Sequence, residues 1–365
     1  MWEAPVISQR TSVGLDVHAR SVMACGLDRE TGEVFERRLC PNHREILDWI
    51  GELPAPVAVT YEAGPTGFGL ARALDAAGIE CVVAAPSKLI RAAGDRVKTD
   101  ARDAVLLARL LQLGQIVAVV VPSVEQEAAR DLVRAREDCR ADLMRTRHRL
   151  SKLLLRQGIV YNGGHPWTVT HERWLRQQRF EEVGLMRAYE EAFDAMLTTR
   201  DRRDRLDGAI TGMAADSDFT PVVRRLGCLR GVSTLTAFAL AVEIGDWQRF
   251  TGRSIGAYLG LVPTEYSSGR SRVQGGLTKT GNGHARRLLI EAAWYHRKPY
   301  SPTVTLRRRW DAASLGARAR GHAANRRLHH RWERFEDRTK RAVVANAAIA
   351  RELAGWCWSL AVLDE

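Results

Sequence analysis

No two cysteines in this chain stand at the C-x-x-C spacing of a zinc or redox site. The six present (Cys25, Cys40, Cys81, Cys139, Cys228 and Cys357) are scattered, and most lie in apolar stretches, as buried free thiols do. Neither a structural zinc site nor a disulfide framework is expected. No apolar run approaches the roughly 20 residues that span a bilayer, and the N-terminal residues lack the pattern of a secretory signal. The expectation is a reduced cytoplasmic protein with no membrane segment. Tandem repeats and low-complexity tracts are missing as well. What remains is a globular chain of 365 residues, 45% of them hydrophobic, long enough for two or three domains with ordinary cores.

Acidic side chains are in deficit, 43 against 55 lysines and arginines, for a net charge of +12 and a pI near 9.9. That balance points to a polyanionic partner, and nucleic acid is the natural one. The excess is uneven. Between Arg307 and Arg341 twelve Lys/Arg face four Asp/Glu, with Trp310, His329, His330 and Trp332 interleaved. Such a stretch can be a solvated helix face, but its composition suits the neutralisation of phosphates.

Against this background four acids stand out: Asp16 in GLDVH, Glu62 in YEAGPTG, and Asp100 and Asp103 in KTDARDA. The first two each end a short apolar run that reads as a buried strand. The last two lie three apart at the start of an apolar-periodic segment and so share one helix face. Carboxylates converging from two strands and a helix make a site for a hard divalent cation, Mg²⁺ above all, with Mn²⁺ a substitute. Each also has a plainer reading: Asp16 and Glu62 as strand-end acids, Asp103 as a helix-start acid favoured by the macrodipole. His18, beside Asp16, either orients a water or is a satisfied strand histidine.

The first 120 residues alternate strand and helix signals. Thr11–Asp16, Val22–Leu27 and Glu33–Leu39 read as three strands, followed by a helix from Pro41 and Asn42 through Trp49. Val57–Tyr61 is then a strand, Gly67–Ala77 a helix and Ile79–Ala84 a strand. Asp100–Leu113 is helical, with Val105, Leu106, Leu110 and Leu113 on one side. That order, with its acids, is the order of a ribonuclease-H-like domain over 1–122. Over 123–215 two long charged segments form an αα-hairpin or coiled-coil arm, either a spacer or a dimerisation element. Leu132, Cys139, Leu143, Leu150 and Leu153 fall at a/d spacing, interrupted by Arg136 and Thr146, and Met186, Tyr189, Phe193 and Met196 follow in the second segment. Residues 216–365 make a mostly α domain. The fold class is thus α/β plus α.

Within that last domain, Val222–Leu226, the glycine-punctuated Gly227–Val232 around Arg230, and Ser233–Ile244 read as a helix-hairpin-helix element, which presents backbone N–H groups to a phosphate. A Gly/Ser-rich stretch from Leu259 to Arg287 reads as a long polar loop entering an apolar helix, Leu288–Tyr295. Hydroxyls at Ser267, Ser268, Thr278 and Thr280 sit there among the cations Arg270, Lys279 and Arg286. No Ser/His/Asp triad partner is evident, and His284 reads as a phosphate contact or a bystander.

Taken together, GLDVH, YEAGPTG and KTDARDA in the first third, and Glu243-Ile244-Gly245-Asp246, YLGLVP, Ser-Ser-Gly, LTKTGN and the Arg286–Ala293 helix in the last, resemble one family over essentially the whole chain. It is the DEDD transposases of the insertion-sequence one-ten family, regarded as bridge-RNA-guided serine recombinases, with a RuvC-like N-terminal domain and a transposase-20 C-terminal domain. The resemblance implies DNA strand exchange guided by an RNA from the element's own non-coding end. It implies a covalent phosphoserine link to DNA and a composite site with Mg²⁺ on Asp16, Glu62, Asp100 and Asp103. The matching nucleophile is Ser268, directly before Gly269, with Ser267 the adjacent alternative. Arg230, Arg270, Lys279, Asn282 and Arg286 are the expected nucleic-acid contacts. The implied partners are donor and target DNA, the guide RNA and further copies of the chain, as a dimer or tetramer, acting on the nucleoid.

Two other readings fit parts of the same pattern. The four acids alone serve equally well a RuvC-like junction endonuclease in which water attacks and no covalent intermediate forms. A non-catalytic nucleic-acid-binding descendant is the second, and retention of all four acids and of the Ser-Ser-Gly loop argues against it.

Overall fold

The computed structural model describes residues 9–90, 99–269 and 271–363, which form two compact units, 1–123 and 124–365. The first is a five-stranded sheet with helices on both faces. In chain order it contains β1 (Thr11–Val17), β2 (Val22–Asp28), β3 (Val34–Leu39), α1 (His43–Gly51), β4 (Val57–Glu62), α2 (Gly69–Ala76), β5 (Glu80–Ala84) and α3 (Asp100–Gln112). The strand order is β3-β2-β1-β4-β5. β1 pairs antiparallel with β2 and parallel with β4, and β5 lies parallel to β4.

Side-chain alternation divides the sheet into two faces. Val13, Leu15, Val59 and Tyr61 point to one side, where they pack with Ile46, Trp49 and Ile50 of α1 and Leu70, Ala71 and Leu74 of α2. Asn42 starts α1 by accepting a hydrogen bond from the Arg44 amide at 2.9 Å. Gly14 and Asp16 point to the opposite side, which α3 covers with Ala104 and Ala108 against Cys25. α3 is where the structure departs from the expected helix face. Its buried residues are Asp103, Ala104, Leu107, Ala108, Leu110 and Leu111, whereas Leu113 is 66% exposed. The cause is close backbone contact. A Cβ built on Gly14 would stand 2.1 Å from the Ala104 carbonyl oxygen and 2.5 Å from the Ala108 nitrogen. The helix therefore settles with its alanine ridge against β1 and buries Leu107, Leu110 and Leu111 beside it, while Leu113 turns outward.

The second unit begins with α4 (Val124–Arg156), α5 (Val169–Arg176) and α6 (Val183–Ala215). α4 and α6 run antiparallel: Arg136 Nε donates to Asp207 Oδ1 at 2.6 Å, the Cys139 thiol contacts the Thr199 carbonyl at 3.4 Å, and Leu150 and Leu153 pack with Tyr189. Both residues that interrupt the heptad seam are accommodated. Arg136 has its carboxylate, and the buried Thr146 hydroxyl donates to the Leu143 carbonyl at 2.9 Å. Ala129, Val133, Ile210 and Ala214, at the base of this hairpin, share one core with the helices that follow.

Those helices are α7 (Thr220–Leu226), α8 (Thr234–Ile244), α9 (Ser254–Tyr258), α10 (Gly283–Ala293), α11 (Val304–Asp311), α12 (Leu315–Asp337) and α13 (Ala342–Ala361). Ser233 caps α8 by accepting from the Thr236 amide. The stretch read as a polar loop is largely a β-hairpin, β6 (Pro263–Ser268) and β7 (Ser271–Leu277), and the helix after it starts at Gly283 instead of Leu288. Tyr266 faces Val273 across the ladder. Both are exposed, so the hairpin lacks the buried face that marks a strand in sequence.

One buried carboxylate ties three of these elements together. Glu243, near the end of α8, has no exposed side-chain surface. Arg134 of α4 grips it with two hydrogen bonds of 3.1 and 3.0 Å. Asn282, the N-cap of α10, donates to Oε2 at 2.7 Å, and His284 Nδ1 lies 3.1 Å from Oε1. Arg130 and Gln126 of α4 add hydrogen bonds to the Val242 carbonyl at 2.7 and 2.9 Å. Burial pushes the Glu243 pKa up, but the bonds from His284, Arg134 and Asn282 outweigh it and hold the group at about 2.

Two outcomes follow from these contacts. Gly14→Ala has no room for its methyl group, so thermal or urea unfolding should show the first unit destabilised by about 1–3 kcal/mol or more; a variant as stable as the parent would contradict the close contact. For Glu243, a depressed folded pKa means its stabilisation is complete above its ordinary value of 4.5 and is lost as pH falls toward about 2. Urea titrations across that window should show up to about 3 kcal/mol of acid destabilisation that Glu243→Gln does not share.

Candidate functional site

β1 and β4 place the first two acids. The parallel register ends with Leu15 beside Tyr61, so Asp16 and Glu62 are the next residues on adjacent strands, both on the α3 face. Thr99 caps α3, its hydroxyl accepting from the Arg102 amide, which sets Asp100 and Asp103 in the first turn. Contact at Gly14 then lays that turn alongside Asp16.

One ligand atom each from Asp16, His18 and Asp100 lies within 4.8 Å of the others. His18 Nε2 is 3.1 Å from Asp16 Oδ2 and 3.9 Å from Asp100 Oδ1. Glu62 and Asp103 stand outside this triplet; Glu62 is half-buried and Asp103 is buried. The Asp16 carboxyl is held above its usual range, first by burial and also by the negative charges of Asp100 and Asp103, with His18 opposing. Acids crowded to that degree are what a divalent cation relieves. Sequence reasoning left His18 unassigned. Its signal was the spacing, since a residue two beyond Asp16 on a strand shares its face.

The two candidate serines differ in their bonding. The Ser267 hydroxyl donates to Glu265 Oε1 at 2.8 Å, and Glu265 also accepts from Gln274 and Arg272. Ser268 pairs with Ser271 at the end of the hairpin, is exposed, and has no hydrogen-bond partner for its hydroxyl among the described residues. Gly269, at φ +57°, takes the chain into the turn. Arg270 lies outside the described residues.

Most of the expected nucleic-acid contacts hold the protein's own backbone. Arg230 Nη1 donates to the carbonyls of Lys298 and Pro299 at 2.8 and 2.9 Å. Arg286 Nη1 does the same to Thr280 and Leu259, at 2.8 and 3.0 Å. Asn282 is shared between the Ala285 amide and Glu243. Lys279 is exposed and has a left-handed backbone, φ +54°. Next to it, Gly281 crosses the α9 exit so closely that a Cβ would stand 1.9 Å from the Tyr258 carbonyl oxygen. The segment after the hairpin is therefore fixed at backbone level. His284, read as a contact or a bystander, is a ligand of the buried Glu243. That role left no local mark, because the two residues are 41 apart in sequence.

Comparison with known proteins finds family matches in both halves of the chain. Residues 13–158 match a DEDD transposase family, and residues 223–304 match the family described as transposase IS116/IS110/IS902. A putative transposase, y4qE, of Sinorhizobium fredii is 40% identical over 304 residues, 82% of this chain and 74% of its own length. The transposase for insertion sequence element IS1533 of Leptospira borgpetersenii is 31% identical over 345 residues, 92% of this chain and 99% of its own. With both family regions matched, and relatives 31–40% identical over most of its length, the chain belongs to the IS110 family of insertion-sequence transposases.

Proposed function

We propose that this transposase exchanges DNA strands through a covalent phosphoserine intermediate at Ser268, with Mg²⁺ at the acidic cluster and an RNA from its own element as guide. The observation that carries the metal part is the meeting of Asp16 and Asp100 within 4.8 Å. A 3-2-1-4-5 sheet in which β2 alone runs against the other strands, with a covering helix, supports an RNase-H-like, RuvC-like reading of the first unit. The α7–turn–α8 segment supports the helix-hairpin-helix reading. Two hard oxygen donors, with Glu62 and Asp103 on the same face, suit Mg²⁺; Mn²⁺ also accepts an imidazole such as that of His18. A cation bound there supplies charge stabilisation for a phosphate under attack.

The serine chemistry balances without any external energy source. The Ser268 Oγ–P bond forms as the P–O bond to the leaving deoxyribose breaks. The hydroxyl proton passes to a base, and the leaving oxygen takes up a proton. One phosphoester replaces another, so the link can be reversed onto a new strand, which hydrolysis by water does not allow. A hydroxyl with no competing hydrogen bond is free for this attack, which favours Ser268 over Ser267.

Donor and target DNA, the guide RNA and further copies of the chain, as dimer or tetramer, are the partners in this reading. The charge of +12 supports polyanionic ones. Lys279, with its exposed ammonium, is the direct phosphate contact. Arg230, Asn282 and Arg286 act by shaping the segments beside it, and Arg270 adjoins the nucleophile in sequence.

Covalent trapping tests the proposal. Parent, Ser268→Ala and Asp16→Ala proteins are incubated with Mg²⁺, RNA transcribed from the flanking DNA and labelled junction DNA, then run on a denaturing gel. The parent should give a DNA-linked band that both variants lose. Cleavage without a linked band, surviving Ser268→Ala, would instead establish a RuvC-like nuclease that uses water.

A further inference from the structure

The C-terminal helices enclose a cleft that neither the acidic cluster nor the serine hairpin uses. It lies where α9, α12 and α13 meet and measures about 520 Å³, within the roughly 300–1,000 Å³ of ligand pockets. Arg327 and Arg331, one turn apart on α12, both bond Glu352 of α13: Arg327 Nε donates to Oε1 at 2.6 Å, and Arg331 Nη1 donates to Oε2. Glu352 is only 12% exposed, so it holds the two guanidinium groups against the wall. Arg253 and Arg351 also line the cleft. Both are exposed, with no hydrogen-bond or ion-pair partner among the described residues. Four guanidinium groups against one carboxylate leave the lining at a net +3 (4 − 1). The half-buried indoles of Trp356 and Trp358 complete it.

We propose that this cleft binds one unpaired nucleotide of a single strand, its base against the tryptophans and its flanking phosphates on Arg253 and Arg351. The arginine fork fits phosphate oxygens and keeps its charge at every accessible pH. Both indoles pack in part on the helical core; the ring surface they leave open toward the cleft is what an exposed base gains from stacking on. A duplex, whose bases cover one another, offers no free base face. The pairing of Arg327 and Arg331 with Glu352 explains those two residues structurally. It leaves Arg253 and Arg351 unexplained, as like charges beside one cavity with nothing to offset them. The inference rests on the reading that this chain acts on nucleic acid, but not on strand exchange.

The test is fluorescence anisotropy of the full chain with short labelled oligo-dT, oligo-rU and duplex DNA across a salt series. The double variant Arg253→Ala/Arg351→Ala should bind a single strand about fivefold or more weakly, with a log–log salt slope shallower by about 1.4. Duplex binding should hold, and Arg253→Lys/Arg351→Lys should keep the slope. A loss in either the dT or the rU arm supports the site and names its strand. An abasic strand, which keeps every phosphate, should bind the parent about fivefold more weakly than oligo-dT. Unchanged binding of both single strands by the double variant, an equal loss on duplex, or, where the dT arm shows the loss, an abasic strand that binds as well as oligo-dT would each overturn the proposal. The assay contains neither junction DNA nor Mg²⁺ and reads binding alone, so a failure of the strand-exchange reading would not pass for a failure of this one.

Discussion

A missing methyl group sets the geometry of the acidic site. Gly14 lets the backbone of α3 rest directly on β1, closer than any side chain would allow. From that contact the rest follows in order. The helix packs on Ala104 and Ala108, its capped first turn comes to the end of β1, and Asp100 meets Asp16 and His18. The placement is enforced by sterics, against the electrostatics of the acids themselves. Burial and like charge both disfavour an ionised Asp16. A fold that gathers carboxylates this way holds them ready for a cation, because packing elsewhere offsets the repulsion before the ion arrives.

In the second unit the corresponding constraint is an ion pair. Glu243 accepts from a helix of the arm and from the N-terminal turn of α10, so one buried charge fixes the segment where the hairpin strand β7 returns to the helical core. Buried carboxylates are costly unless nearly every lone pair is satisfied. Here both oxygens are, each by two partners. Removing one partner leaves the others around an under-satisfied charge. The serine hairpin itself has no comparable anchor. Its strands are exposed on both faces, and it is positioned from its ends, by Gly281 under Tyr258 and by Arg286 on two carbonyls. A rigid base under an exposed tip suits the nucleophile proposed there, which would have to meet a large substrate.

Local pattern made much of this readable in the sequence. The five strands fall within about two residues of where alternation and turn residues put them, and the acids sit at the strand and helix ends where the motifs placed them. What was not readable depended on partners distant in the chain. Leucine periodicity suggested the wrong face of α3, because the deciding contact was a glycine some 90 residues earlier. The hairpin was missed because Tyr266 and Val273, its strand-forming residues, alternate with polar ones on a surface that buries nothing. Glu243 reads in sequence only as the first residue of the Glu243–Asp246 motif. Its role as a hub needs Arg134, 109 residues away, as much as Asn282.

The basic character of the chain likewise separates into two physical effects. Many arginines spend their donors internally: Arg309 on the Val232 carbonyl, Arg318 on Ala313, Arg320 on Ser359, Arg230 on Lys298 and Pro299. A guanidinium bound to a carbonyl oxygen keeps its full charge, since the carbonyl is a dipole and not an anion. Such residues still contribute to the long-range field that draws a polyanion to the surface, but they have fewer N–H groups left to grip a phosphate. Pairing with a carboxylate reduces field and donors together, although Glu352, shared by Arg327 and Arg331, offsets only one of their two charges. Total charge thus governs how nucleic acid approaches this protein. In the proposed readings, cations whose donors remain free, Lys279, Arg253 and Arg351 among them, govern where it is held. A count of basic residues measures the first quantity and says little about the second.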